Sequence, residues 1–302
     1  MINKVYYGPR LIFNNEDAGD YWITGTTVEP NQEITIFSWY AEYKIITNSD
    51  NNSVFKITPE FDVESVTNMN GMFEKCFSLQ SLNLENFNTE NVTSMYYTFS
   101  ECSNLQSLNL ENFNTEKVTN MGNTFYYCLS LQSLNLESFN TKKVTDMSHM
   151  FDNCQNLRTL DLSSFNTEKL KNMNYMFSYC SNLTEIKGIE NFNPSVSVSM
   201  QKAFEKCGIQ TLDLSNIRRV SSMYNAFSNC FNLETLYLDN LDIEIEGNTD
   251  FYFLYQMFYN CSSLKYIRCK QAFKDWCIEN ANQNYLSDTK MLTDEGVWDI
   301  ID

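Results

Sequence analysis

The chain has 302 residues, with 38 acidic against 21 basic side chains and a formal net charge of -17. That balance leaves no basic stripe to displace counterions from a phosphate backbone, which argues against a nucleic-acid partner. An aromatic content of 15% is too high for a disordered chain. No apolar run reaches the roughly 18–20 residues that cross a bilayer.

In chain order, Met1 to Gly8 shows no basic segment followed by an apolar one, so it does not read as a signal peptide. Glu33 to Tyr43, rich in aromatic and β-branched residues, predicts a strand. Residues 1–50 are expected to form an N-terminal β cap. From Phe61 onward the chain repeats itself. Phe61, Phe87, Phe113 and Phe139 are each 26 residues apart.

Aligned on Phe-x-x-Cys, eight copies end at Cys76, Cys102, Cys128, Cys154, Cys180, Cys207, Cys230 and Cys261, with steps between 23 and 31 residues. Between them runs Leu-x-x-Leu-x-Leu, as in Leu79, Leu82 and Leu84, and the period with that segment predicts a leucine-rich repeat. The alternation about Asn83 predicts a strand with one face inward. Val92, Met95, Phe99 and Cys102 are spaced as one face of a short helix, and Thr93, Thr119 and Thr145 stand where N-caps would. The Asn of each Phe-Asn-Thr (Asn88, Asn114, Asn140, Asn166, Asn193) is expected to hydrogen-bond turn backbone in the next copy.

The fold class expected is α/β: a leucine-rich repeat solenoid over 51–270, with about eight strand-turn-helix repeats and a parallel sheet on its concave face. Residues 271–302 form the C-terminal cap. Before it, Leu264, Ile267 and Cys269 make the last strand of the solenoid, and within it Phe273, Trp276 and Cys277 share one face of a lid helix.

Val144 to Thr167, "VTDMSHMFDNCQNLRTLDLSSFNT", resembles the repeat unit of BspA-like leucine-rich repeat surface proteins. The likeness extends over about 61–269. It implies an exported or surface-displayed bacterial protein that adheres to proteins of a host or a neighbouring cell.

The repeat cysteines fall on apolar stripes. Adjacent helices would hold them about 8–10 Å apart, so they read as buried thiols, while Cys269 and Cys277 leave a pairing across the cap open. No Cys-x-x-Cys occurs, and His149 is the only histidine, expected on a solvent-facing side, so neither metal nor cofactor is expected. An insertion, Leu238 to Phe253, carries Asp239, Asp242, Glu244, Glu246 and Asp250. It reads as a solvated acidic loop rather than a calcium site. The carboxylates conform to the repeat, which argues against a catalytic pair.

Outward strand positions form two columns. One reads Ser81, Ser107, Ser133, Thr159, Glu185, Thr211, Thr235, Tyr266; its neighbour reads Asn83, Asn109, Asn135, Asp161, Lys187, Asp213, Tyr237, Arg268. The early copies are uniform and flanked by Glu85, Glu111 and Glu137; they carry no aromatic on which a sugar could stack. The later ones vary, which makes Asp161, Glu185, Lys187, Asp213, Tyr237, Tyr266 and Arg268 the candidate partner-binding residues, with a basic protein as partner. The function expected is non-enzymatic protein binding by a monomer at the cell surface or outside the cell. A fibre or phage component, or a glycoside-acting enzyme using Asp242, Glu244 and Glu246, are the alternatives.

Overall fold

The computed structural model describes residues 66–84, 87–242, 254–280 and 297–301, together with six strands before them. Those six are β1 (Val5–Tyr7), β2 (Arg10–Leu11), β3 (Ile23–Thr27), β4 (Glu33–Ser38), β5 (Ala41–Ile46) and β6 (Val54–Ile57). The single strand expected over 33–43 is two, paired antiparallel with Ser38 opposite Ala41. Strand β3 pairs antiparallel with β6 and with the first leucine strand, β7 (Leu79–Asn83), placing Gly25 opposite Leu82. An N-terminal strand thus covers an edge that would otherwise expose a row of unpaired backbone groups.

Beyond β7 the strands are short and parallel: β8 (Ser107–Asn109), β9 (Thr159–Asp161), β10 (Glu185–Lys187), β11 (Val198–Ser199), β12 (Thr211–Asp213), β13 (Val220–Ser222), β14 (Thr235–Leu238) and β15 (Tyr266–Cys269). Ser81, Leu82 and Asn83 face Ser107, Leu108 and Asn109, so each side chain lies beside its counterpart one period later. The pairing is interrupted. Residues 131–136 are not a strand, and a 3-10 turn, Ile189–Asn191, intervenes between β10 and β12. Helix α1 (Gln271–Asn280) buries Phe273 and Cys277, with Trp276 packed partly against the core, as the sequence spacing implies. Strand β15 is not the last: β16 (Trp298–Ile300) returns parallel beside it, with Arg268 opposite Asp299.

The helices expected in each copy are replaced by turns. Met95, Phe99 and Cys102 are buried as the spacing requires, but the backbone carrying them bonds differently. The N–H groups of Met95, Tyr97 and Phe99 donate to the carbonyls of Asn120, Gly122 and Thr124 in the next copy, at 2.9, 3.1 and 2.9 Å. The N–H groups of Thr98, Ser100 and Cys102 donate to Met95, Tyr97 and Phe99 within the copy. Alternate amides therefore close tight turns while the others tie copy to copy. A helix would spend every amide internally and leave nothing for the neighbour.

Such turns need left-handed backbone at their third residue. Tyr97 and Glu101 have φ 59°, and Asn123, Tyr127, His149, Asn153, Tyr175, Tyr179, Lys202, Lys206, Asn225, Asn229, Gln256 and Asn260 occupy the same region in later copies. Thr93, Thr119 and Thr145 cap no helix; their hydroxyls donate to carbonyls of the copy before, Thr67, Thr93 and Thr119.

Close stacking follows. The rings of Phe73, Phe99, Phe125, Phe151, Phe177, Phe204, Phe227 and Phe258 form one column, consecutive centroids 5.3 to 5.8 Å apart. That spacing belongs to a β ladder, not to the 8–10 Å of packed helices. The cysteines are consequently nearer one another than helix packing implied. All ten are buried free thiols, Cys269 and Cys277 included. Six S–H groups donate to the phenylalanine carbonyl of the preceding copy, from Cys102 to Phe73 at 3.1 Å through to Cys261 to Phe227 at 3.0 Å.

Two expected outcomes follow from this backbone and core. At Gln256, φ 50°, valine should lower stability by about 1–2 kcal/mol, whereas asparagine, which tolerates left-handed backbone, should not; denaturant titration of both variants decides. Burial pushes the Cys128 thiol up to about 12 from an ordinary 9.0. The folded chain keeps a proton that the unfolded chain loses, so this stability is whole below about pH 8.5 and drains as pH rises toward 12. In Cys128→Ser, unfolding free energy should fall less steeply between about pH 9 and 11, by up to about 1.4 kcal/mol per pH unit.

Candidate functional site

The outward columns have two origins. In the Asn/Asp column the side chain closes the turn that ends its own strand. Asn109, Asn135, Asp161 and Asp213 each accept, through Oδ1, the N–H two residues on, at 3.0, 3.0, 3.0 and 2.9 Å. This is an Asx turn, a local reason for Asn or Asp at that place. The Ser163 hydroxyl and amide hold the Asp161 carboxyl below its ordinary value, helped by Lys187 opposite. Lys187 cannot make such a turn, and Gly188 follows it at φ 81°. A Cβ there would lie 2.5 Å from the Ser163 backbone nitrogen, so only glycine fits.

The asparagines of Phe-Asn-Thr work the same way, contrary to the expectation that they bridge copies. Asn88, Asn114, Asn140 and Asn166 accept from the amides of Glu90, Glu116, Lys142 and Glu168 in their own turns. The bridge is the threonine: Thr115 Oγ1 accepts the Asn140 N–H at 2.7 Å and donates to the Asn140 carbonyl at 3.1 Å. Thr141 does the same with Asn166.

The late-copy candidates divide. Asp161, Glu185 and Lys187 are exposed on β9 and β10, with Lys187 in register with Asp161. Asp213, Tyr237, Arg268 and Asp299 stand in one row across β12, β14, β15 and β16. Strand pairing places no β10–β12 ladder between the two groups among the described residues.

Within the second group the anchors hold one another. The Arg268 guanidinium grips Asp239 through Nε at 2.8 Å and through its second nitrogen, and lies 4.7 Å from the centre of the Tyr237 ring. Tyr237 and Tyr266 meet edge to face with centroids 5.8 Å apart. The Tyr266 hydroxyl donates to Asp299, and that bond raises the phenol's pKa. Lys270 pairs with Asp242. Asp239 and Asp242, expected in a solvated acidic loop, are therefore ion-paired; Glu85, Glu244, Glu246 and Asp250 lie outside the described residues. Asp299 carried no repeat signal, because β16 follows a segment with no copy of the motif.

His149 is not merely solvent-facing. Its Nδ1 is 2.8 Å from the buried carboxylate of Asp152, and its ring stacks on Tyr175 with centroids 4.3 Å apart. Tyr126 meets its edge at 5.9 Å. The signal was present, since His149 and Tyr175 occupy the same place in successive copies. The exposed side assigned to a helix concealed it.

Among the described residues no three His, Cys, Asp or Glu side chains converge as metal ligands, and no helix is long and apolar enough to cross a membrane. The sequence profile of DUF285, described as "Mycoplasma protein of unknown function", matches residues 44–135 and 130–240. The chain belongs to that repeat family. No curated protein matches it.

The Arg268–Asp239 clamp has a measurable signature. A double-mutant cycle of Arg268→Ala and Asp239→Ala should give a coupling of about 0.5–1 kcal/mol, because both groups remain partly in contact with water. Molar salt should reduce it.

Proposed function

We propose that the chain is a leucine-rich repeat solenoid of the BspA-like kind that binds a protein partner without catalysis, displayed at a cell surface or secreted. Parallel in-register pairing of equivalent positions supports the solenoid reading, with about eight copies as its units. Each copy alone exposes its Phe, Met and Leu stripe, and only a neighbour on each side buries it.

A single observation carries the binding reading: Tyr237, Tyr266 and Arg268 are large planar side chains already fixed by Asp239, Asp299 and one another. Side chains ordered before association lose little rotamer freedom when a partner covers them. In the early copies Ser81, Asn83, Ser107 and Asn109 offer only short polar groups. Asp213 and Asp299 stand in one row with Tyr237 and Arg268 and favour a basic partner, with salt-sensitive association.

The test is a panel of extracellular-matrix and cell-surface proteins presented to the immobilised chain. For the partner so found, Tyr237→Ala and Tyr266→Ala should each weaken binding by about 2 kcal/mol or more. Asn83→Ala and Asn109→Ala should leave it unchanged. Equal losses from all four variants would place the interface elsewhere.

A further inference from the structure

Away from the outward strand face, a groove of about 770 Å³ lies along the Phe-Asn-Thr turns, lined by Asn166, Thr167, Glu168, Asn191, Asn193, Ser195, Arg218, Arg219 and Asp242 over Phe165 and Pro194. That volume is in the range of small-ligand sites. The groove lies where the repeat fails. Thr89, Thr115, Thr141 and Thr167 each accept the asparagine N–H of the next turn. In the following copy Pro194 stands in the threonine's place and has no hydroxyl to bridge onward. One copy later, Ile217-Arg218-Arg219 replaces Phe-Asn-Thr.

The substitution puts two adjacent cations into a chain of net charge -17. Both arginines are exposed, and among the described residues neither has an ion-pair partner. Of the two lining carboxylates, Asp242 is neutralised by Lys270, and Glu168 has no cation on it among the described residues. Asn166 uses its Oδ1 on the Glu168 amide at 3.0 Å, which leaves its NH2 as a donor. The Ser195 hydroxyl donates to the Glu168 carbonyl at 2.8 Å, which ties these two lining residues together.

We propose that this groove binds an acidic saccharide, its carboxylate on Arg218 and Arg219 and its ring hydroxyls on Glu168 and the asparagine amides. Guanidinium is matched to carboxylate in shape and charge. A sugar ring presents donors and acceptors together, and so does this lining. A bare anion would meet Glu168 with no proton to offer it. An acidic peptide would find little apolar surface for its side chains beyond Phe165 and Pro194. The site is separate from the tyrosine face and does not depend on the protein-binding reading.

The experiment is calorimetric titration of the full chain at low salt with trigalacturonic acid and with a chondroitin tetrasaccharide. At least one should bind. Arg218→Gln with Arg219→Gln should weaken it tenfold or more, with the circular dichroism spectrum unchanged. Methyl esterification of the uronic acid should have a similar effect, and Tyr237→Ala should have none. Four results would overturn the proposal: no binding of either saccharide at millimolar concentration, equal binding of the methyl ester, displacement by inorganic phosphate at comparable concentration, or tighter binding of hexaglutamate.

Discussion

Everything in this chain depends on how its backbone amides are divided between a copy and its neighbour. In the segment from Tyr97 to Cys102, alternate N–H groups close turns within the copy and the rest donate to the copy after it. A turn built this way needs left-handed residues at fixed places, and the period must stay near 26 so that donors meet carbonyls. The cost of left-handed backbone at tyrosine, lysine or glutamate is about 1–2 kcal/mol each. It is tolerated because leaving a buried amide unpaired costs at least as much.

From that division come the two columns of the core. Copies spaced like β strands bring phenylalanine rings into parallel contact and set six thiols on the carbonyl of the preceding phenylalanine. The cysteine is then a small apolar group that can also satisfy a buried oxygen, which alanine cannot do. Ionising such a thiol would strand a charge among aromatic rings, so burial raises the pKa of these six.

The surface inherits the same logic. Where the repeat is kept, outward Asn and Asp are occupied in closing their own turns, and threonine hydroxyls join successive turns. Where the repeat is broken, those duties lapse and other side chains enter: Tyr237, Tyr266 and Arg268 on the strand face, Arg218 and Arg219 on the turn face. Tyr237 and Arg268 occupy column positions where earlier copies place an Asx-turn residue. A departure from the period is thus where a surface gains a chemical character of its own, and both sites argued above lie at such departures.

Which apolar residues are buried is legible in the chain's spacing alone. Phe99, Cys102, Leu82 and their equivalents recur at fixed spacing, and each is buried, as are Phe273 and Cys277 in the cap helix. The spacing also singled out Tyr237, Tyr266 and Arg268, because a column that stops repeating is visible in one dimension. The backbone that carries those side chains is fixed by contacts between copies. A spacing of i, i+3, i+7 suits a helix and also suits consecutive tight turns, and burial alone does not separate them. Hydrogen bonds to a neighbouring copy do, and those are not local. The same holds for Asp299 opposite Arg268, for Asp152 beneath His149, and for the groove beside Arg218. Each joins residues distant in sequence, and one-dimensional spacing does not encode which of them come together.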